Sequence, residues 1–183
     1  LVAGVLAAQP RIHVIGVGRA TPPQALPGVT IQVCDMRGDT LRDLMQATPV
    51  DVAIHLDMVG EEEPDARDRS GRGNVYRAIE LLGACRAAGV ARVILRSSML
   101  VYGARSDAPA FMDERGPFSR GAPAGLLQDY IELERVADDF RSRHAEMRLT
   151  LLRCAGLVGG GVSSPLARYL TLRSAPLLAG FDP

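Results

Sequence analysis

The stretch Arg92-Val93-Ile94-Leu95-Arg96-Ser97-Ser98-Met99-Leu100-Val101-Tyr102-Gly103 holds a short β-rich run, RVILR, that ends on two serines. Upstream, residues 50–56 (VDVAIHL) are nearly continuously apolar and read as another strand. So do 29–33 (VTIQV), which follow the turn-rich TPPQALPG, and 11–17 (RIHVIGV). Downstream, 149–153 (LTLLR) read as one more. Helical patterns fill the gaps. Residues 41–47 make a short helix. Residues 74–88 make a long one with Val75, Ile79 and Leu82 on one side. Residues 126–143 make a second long one, and Leu1, Val2, Val5 and Leu6 recur at helical spacing before a Gln9-Pro10 stop. Strands alternating with helices predict parallel βαβ units with right-handed crossovers. Apolar strands predict a sheet covered by helices on both faces, the α/β doubly wound parallel class.

Composition bounds the function. The 183 residues suit one domain with a real core. Lys+Arg and Asp+Glu are each 21, so the formal net charge is zero, which argues against nucleic acid as the main partner. All the basic residues are arginine. The absence of lysine excludes, within these residues, a Walker-type phosphate lysine, a Schiff-base lysine and a Tyr/Lys proton-transfer pair. No apolar run approaches the roughly 18 residues of a membrane span. Cys34, Cys85 and Cys154 lie far apart, which predicts reduced thiols in a cytoplasmic protein, with no disulfide framework and no metal site. Residues 61–73 (EEEPDARDRSGRG) and the Pro- and Gly-rich 104–125 read as loops. The chain opens inside an amphipathic helix without an initiator methionine, and ends abruptly at PLLAGFDP. It therefore reads as an interior piece of a longer polypeptide.

Four segments together resemble the extended short-chain dehydrogenase/reductase family, in its NAD-dependent epimerase/dehydratase group. Val14-Ile15-Gly16-Val17-Gly18-Arg19 stands where the second strand of that family ends. Val33-Cys34-Asp35-Met36-Arg37-Gly38-Asp39 resembles its third-strand Asp motif. Ile54-His55-Leu56 resembles its fourth-strand ending, with Asn74-Val75 opening the next helix. Arg96 to Gly103 resembles its fifth strand, and Leu152-Arg153 followed by Gly159 resembles the strand after. The ordered set covers nearly the whole chain. It implies one NAD(P)-binding domain of Rossmann type over residues 1–183, incomplete at both ends. The glycine-rich phosphate loop would precede Leu1, and most of a C-terminal substrate lobe would follow Pro183.

The resemblance also implies site residues. Gly18 takes the place of the family's ribose-binding Asp. Losing that carboxylate, with Arg19 next to it, favours NADP over NAD; the alternative is a solvated loop arginine. Asp35 is expected beside the adenine amino group with Met36 next to it, or else as a turn aspartate. Leu56, Asp57, Asn74, Ser97, Cys154 and Leu157 complete the expected cofactor contacts. Asp57 and Met58 replace small residues, and a carboxylate there would crowd and repel a diphosphate. Ser98, four before Tyr102, is the expected substrate-binding and catalytic hydroxyl. His55 reads as a packed, satisfied histidine rather than a base, and Cys154 as a small buried thiol rather than a nucleophile, having no nearby histidine to support it.

The Tyr-x-x-x-Lys pair of the family breaks down here. In one register Tyr130 is the tyrosine and Glu134 stands in the lysine's place, where it would raise the tyrosine pKa. In the other, Glu134 is the glutamate that follows the lysine by four, 19 residues before Arg153. Tyr130 then replaces the lysine and Leu126 the tyrosine. Tyr130 reads either as a proton donor or as part of the apolar stripe Leu126, Tyr130, Leu133, Ala137, Phe140. Asp129 and Glu132 rank lower as acids. The implied function is an NAD(P)-dependent epimerase/dehydratase or reductase with an atypical proton relay, acting on a nucleotide-sugar-like small molecule. The alternative is a catalytically degenerate dinucleotide-binding sensor. A homodimer built on the two long helices is implied as well, with no nucleic acid and no membrane.

Overall fold

A computed structural model describes residues 2–34, 38–58, 73–103, 111–119, 125–156, 159 and 165–174. Their order is α1 (Val2–Ala7), β1 (Val14–Gly18), β2 (Val29–Val33), α2 (Gly38–Ala47), β3 (Val52–His55), α3 (Gly73–Ala87), β4 (Arg92–Ser98), a 3-10 turn (Met99–Tyr102), α4 (Leu126–Arg143), β5 (Arg148–Cys154) and α5 (Pro165–Leu170). The chain divides into two compact units, Leu1–Asp51 with Glu80–Val90, and Val52–Ile79 with Ala91–Pro183.

The first unit holds the parallel pair β1-β2, in register from Val14↔Val29 to Gly18↔Val33. Gly16 lets the strands pack closely there: a Cβ would lie 3.0 Å from Ile31 Cδ1 on the neighbouring strand, and that side chain would have to shift by a few tenths of an ångström. Cys85, buried on α3 with its Sγ 3.9 Å from Met45 Sδ, is a packing thiol, and burial pushes its pKa up to about 12. The Gln46 side chain on α2 donates to the Ala87 carbonyl at 3.4 Å.

The second unit holds the parallel sheet β3-β4-β5, with Val52↔Arg92 and Arg92↔Arg148 opening the two registers. Along β4 every second residue is buried: Val93, Leu95 and Ser97. On β3 the buried residues are Ala53 and His55, and α4 buries Asp129, Tyr130, Ile131, Leu133, Glu134 and Ala137. That spacing is the expected inward stripe of α4, with two carboxylates set in it.

All pairings are parallel, as the alternation predicts, and the helices flank the sheets in the Rossmann manner. One expectation is corrected. The strand at 50–56 is not buried on both faces, since Val52, Ile54 and Leu56 are exposed, as is Leu152 across the same face. Among the described residues only one face of this sheet is well covered. The strands at 92–98 and 148–154 run past their expected ends, α2 begins three residues early, and the 3-10 turn and α5 lack a periodic signal long enough to read. The charged stretch 61–73 lies outside the described residues except for Gly73.

Candidate functional site

In an open parallel sheet, ligands bind outside the carboxyl ends of the strands. In the second unit that edge is formed by Leu56 and Asp57 after β3, Ser98 at the end of β4 and Cys154 at the end of β5. Ser98 and Cys154 are direct register partners. Pleating turns Ser97 and Ser98 to opposite faces. Ser97 is buried, and its hydroxyl donates to Glu134 Oε1 at 2.5 Å. Ser98 is partly exposed, and its Oγ accepts from the Leu100 amide at 3.2 Å, capping the 3-10 turn. That bond uses one lone pair and leaves the hydroxyl proton to donate elsewhere. The Ser97 side chain, by contrast, is committed inward, so only its backbone lies at the edge.

The inward side is a charged anchor. Glu134 is fully buried on α4 and takes Arg153 Nε at 3.0 Å to both oxygens and Nη2 at 2.7 Å. Arg153 Nη1 donates to the Tyr102 hydroxyl at 2.6 Å and to the Glu114 carbonyl at 2.8 Å. The guanidinium lies 4.9 Å from the Tyr102 ring centroid and 5.3 Å from that of Phe118. The hydrogen bond to Glu134 holds the Arg153 pKa above its usual value, against the opposing pull of burial. Glu134 and Arg153 thus meet across the 19-residue interval read from the sequence. Glu134 is spent on Arg153 and Ser97.

Val101, Tyr102, Tyr130 and Ile131 form a buried cluster, and Met58, Phe118, Leu126 and Leu127 pack against it. One residue before Tyr130, the buried Asp129 accepts the backbone amides of Asn74 at 3.0 Å and Val75 at 3.1 Å. A carboxylate from α4 therefore caps the first turn of α3, satisfying donors that a helix start leaves open and lying at the positive end of its dipole. Asn74 is fully buried at this junction. Asp129 ranked low from sequence because its partners are backbone groups more than 50 residues away, a contact with no local signature.

Two ionisable residues, Asp57 and His55, stand at the end of β3. Arg77 Nη1 donates to Asp57 Oδ1 at 2.8 Å. The expected repulsion between Asp57 and a diphosphate is thereby offset by a guanidinium. His55 is buried with its Nδ1 lacking a hydrogen-bond partner among the described residues. Burial lowers its pKa, and Arg77 and Arg96 add to this against Asp57. In the first unit, Gly18 ends β1, and a Cβ there would meet nothing closer than the Ala20 carbonyl at 3.8 Å, so the strand end stays open. Arg19 follows it, exposed. Asp35, Met36 and Leu157 lie outside the described residues. Within the second unit, the Asp57–Arg77 pair and the outward Ser98 both stand at the carboxyl edge of β3-β4-β5. No group of three or more metal-ligating side chains occurs among the described residues.

The sequence matches the NAD dependent epimerase/dehydratase family over residues 2–173. An uncharacterized protein of Mycobacterium tuberculosis (strain ATCC 25618 / H37Rv) is 33% identical over 159 residues, covering 81% of this chain and 40% of that protein. The chain thus spans less than half the length of the curated relatives it matches. Among solved structures, a UDP-glucose-4-epimerase from Stenotrophomonas maltophila with bound NAD and formylated UDP-arabinopyranose superposes with a TM-score of 0.68. It shares 22% identity, with 82% of this chain and 48% of that chain covered. A dTDP-glucose 4,6-dehydratase double mutant from Streptomyces venezuelae with NAD bound gives 0.68 at 21% identity, covering 93% and 55%. These likenesses carry the fold, and the match over residues 2–173 carries the lineage: the chain belongs to the NAD dependent epimerase/dehydratase family.

Proposed function

We propose that residues 1–183 form the dinucleotide-binding domain of a cytoplasmic NAD(P)-dependent oxidoreductase of the epimerase/dehydratase kind, acting on a hydroxyl or keto group of a nucleotide-sugar-like substrate. The observation that carries this reading is Ser98. It sits at the carboxyl end of the central strand β4 with a hydroxyl proton available to a substrate oxygen. A bound nicotinamide would supply the hydride acceptor or donor. The chain's own part is to bind and orient. Gly18 and Arg19 would face the adenosine end, with Arg19 favouring a 2′-phosphate and hence NADP. Asp35, Met36 and Leu157 are assigned to the same cofactor by resemblance. Leu56, the Asp57–Arg77 pair, Asn74, the Ser97 backbone and Cys154 would line the rest. Ser98 would hold the reacting oxygen, and Tyr130 would move the proton through its hydroxyl.

The experiment is hydride transfer on UDP-glucose and dTDP-glucose, followed through nicotinamide absorbance with NADP and NAD. Ser98→Ala is expected to cut turnover by about 10²-fold or more, the order of a lost proton-transfer partner. Wild-type turnover that Ser98→Ala leaves intact would remove the assignment.

A second reading has its own observation. The Glu134–Arg153 contact, across the 19-residue interval, supports the register with Leu126 in the tyrosine's place and Tyr130 in the lysine's, so that neither member of the family's dyad stands in its own place. In that reading the protein binds dinucleotide without redox turnover and acts as a sensor. Saturable NADP(H) binding with no turnover on either sugar, and no effect of Ser98→Ala, would decide for it.

A further inference from the structure

We propose that residues 111–119 form a strap along the carboxyl ends of β4 and β5, that this strap is the wall a nucleotide-sugar substrate meets, and that Arg153 is the positioning residue that clamps it. The inference rests on the function proposed above.

The strap is fastened at three points, all at that edge. The Ser119 amide donates to the Val101 carbonyl at 2.8 Å. The Tyr102 hydroxyl donates to the Asp113 carbonyl at 3.0 Å. Arg153 Nη1 donates to the Glu114 carbonyl at 2.8 Å while Phe118 lies against the guanidinium. Two of these bonds reach backbone carbonyls of the strap, so they fix its path rather than one side chain. The clamp itself cannot swing: its Nε and Nη2 are taken by the buried Glu134, and its faces lie near two rings. The junction is tight as well. Gly103 has φ +69°, and a Cβ there would lie 2.5 Å from Ser119 Oγ. Asp113 Oδ1 accepts the Arg115 amide, which closes the turn. A segment fixed this firmly still presents Phe111, 94% exposed, with Met112 and Arg115 outward. Its Ser119 amide bonds to the 3-10 turn that directly follows Ser98, and none of its residues is assigned to the cofactor. A loosened strap should therefore weaken the sugar and spare the dinucleotide, which a general loss of structure would not do.

The test uses the full-length protein, with Tyr102→Phe as the mild variant, which keeps the ring and removes the bridging hydroxyl, and Arg153→Lys as the stronger one. Calorimetry gives separate dissociation constants for NADP, NAD, UDP-glucose and dTDP-glucose, and hydrogen exchange reports on residues 111–119. In both variants the expected result is faster strap exchange, nucleotide-sugar binding weaker by about five- to tenfold, and cofactor binding within about twofold of wild type. A wild-type protein that binds neither NADP nor NAD overturns the proposed function itself. A wild-type protein that binds cofactor but neither sugar overturns the strap as a substrate wall. So do variants in which the strap loosens and sugar affinity stays, or in which both affinities fall together.

Discussion

His55 carries a pH dependence that its neighbours on β3 do not. Its folded-state pKa lies below 6.5, first because burial penalises the imidazolium and then because Arg77 and Arg96 oppose it. The unfolded chain therefore takes up a proton near pH 6.5 before the folded chain does. This contribution to stability is fully present above about 6.5 and is lost as pH falls from there towards the folded-state value. Thermal unfolding followed from pH 7.5 to 5.5 should show a decline that His55→Gln flattens; an unchanged decline in the variant would count against this role. The sequence reads His55 as a packed, satisfied histidine; it is buried as expected, but its Nδ1 finds no hydrogen-bond partner among the described residues. The sequence also places Ser98, because a strand-end serine four before a Val-Tyr-Gly tyrosine is a local pattern. It could not show that Asp57 is balanced by Arg77, since the two stand 20 residues apart on different elements. Arg77→Ala should leave Asp57 uncompensated and weaken NADP binding by about tenfold, measured by calorimetry.

Between elements, two buried carboxylates tie α4 to its neighbours. Glu134 ties α4 to β4 through Ser97 and to β5 through Arg153. Removing one partner of such a pair leaves the other charge uncompensated. Glu134→Ala should cost about 3–5 kcal/mol in denaturant unfolding, with Arg153→Ala in the same range. Asp129 ties α4 to the start of α3, and Asp129→Ala should cost about 1–2 kcal/mol, the scale of a lost helix cap. A fall below 0.5 kcal/mol for Glu134→Ala would mean the anchor is dispensable. The bounds of α4 and β2 follow directly from periodicity, whereas the 19-residue interval from Glu134 to Arg153 sets a register and does not by itself announce their contact. The Asp129 cap was hidden because helical periodicity assigns a face but does not identify the backbone groups that the face will meet. Strand ends were read short at 92–98 and 148–154 because serine, arginine and cysteine interrupt the apolar run while the backbone pairing continues.

In the molecule as a whole, parallel pairing throughout and helices between strands were legible from alternation alone, whereas the partial covering of the β3-β4-β5 sheet was not, because strand composition does not record which face receives a helix. Tyr76 and Ile79 are exposed together on α3. They lie on one of the two long helices on which the resemblance implies a homodimer. Light scattering of the full-length protein should give twice the monomer mass, and Ile79→Arg should shift it towards monomer; a monomer at high concentration would contradict the proposal. No helix among the described residues is long and apolar enough to cross a membrane. The claim on which the account turns is that this arginine-only chain, lacking the family's lysine, still holds a nicotinamide dinucleotide against the carboxyl ends of its strands. Calorimetric titration of the full-length protein with NADP and NAD measures that directly. The account expects saturable binding near one site per chain, tighter for NADP and weakened towards NAD-like affinity by Arg19→Ala; heats indistinguishable from dilution with both dinucleotides would contradict it.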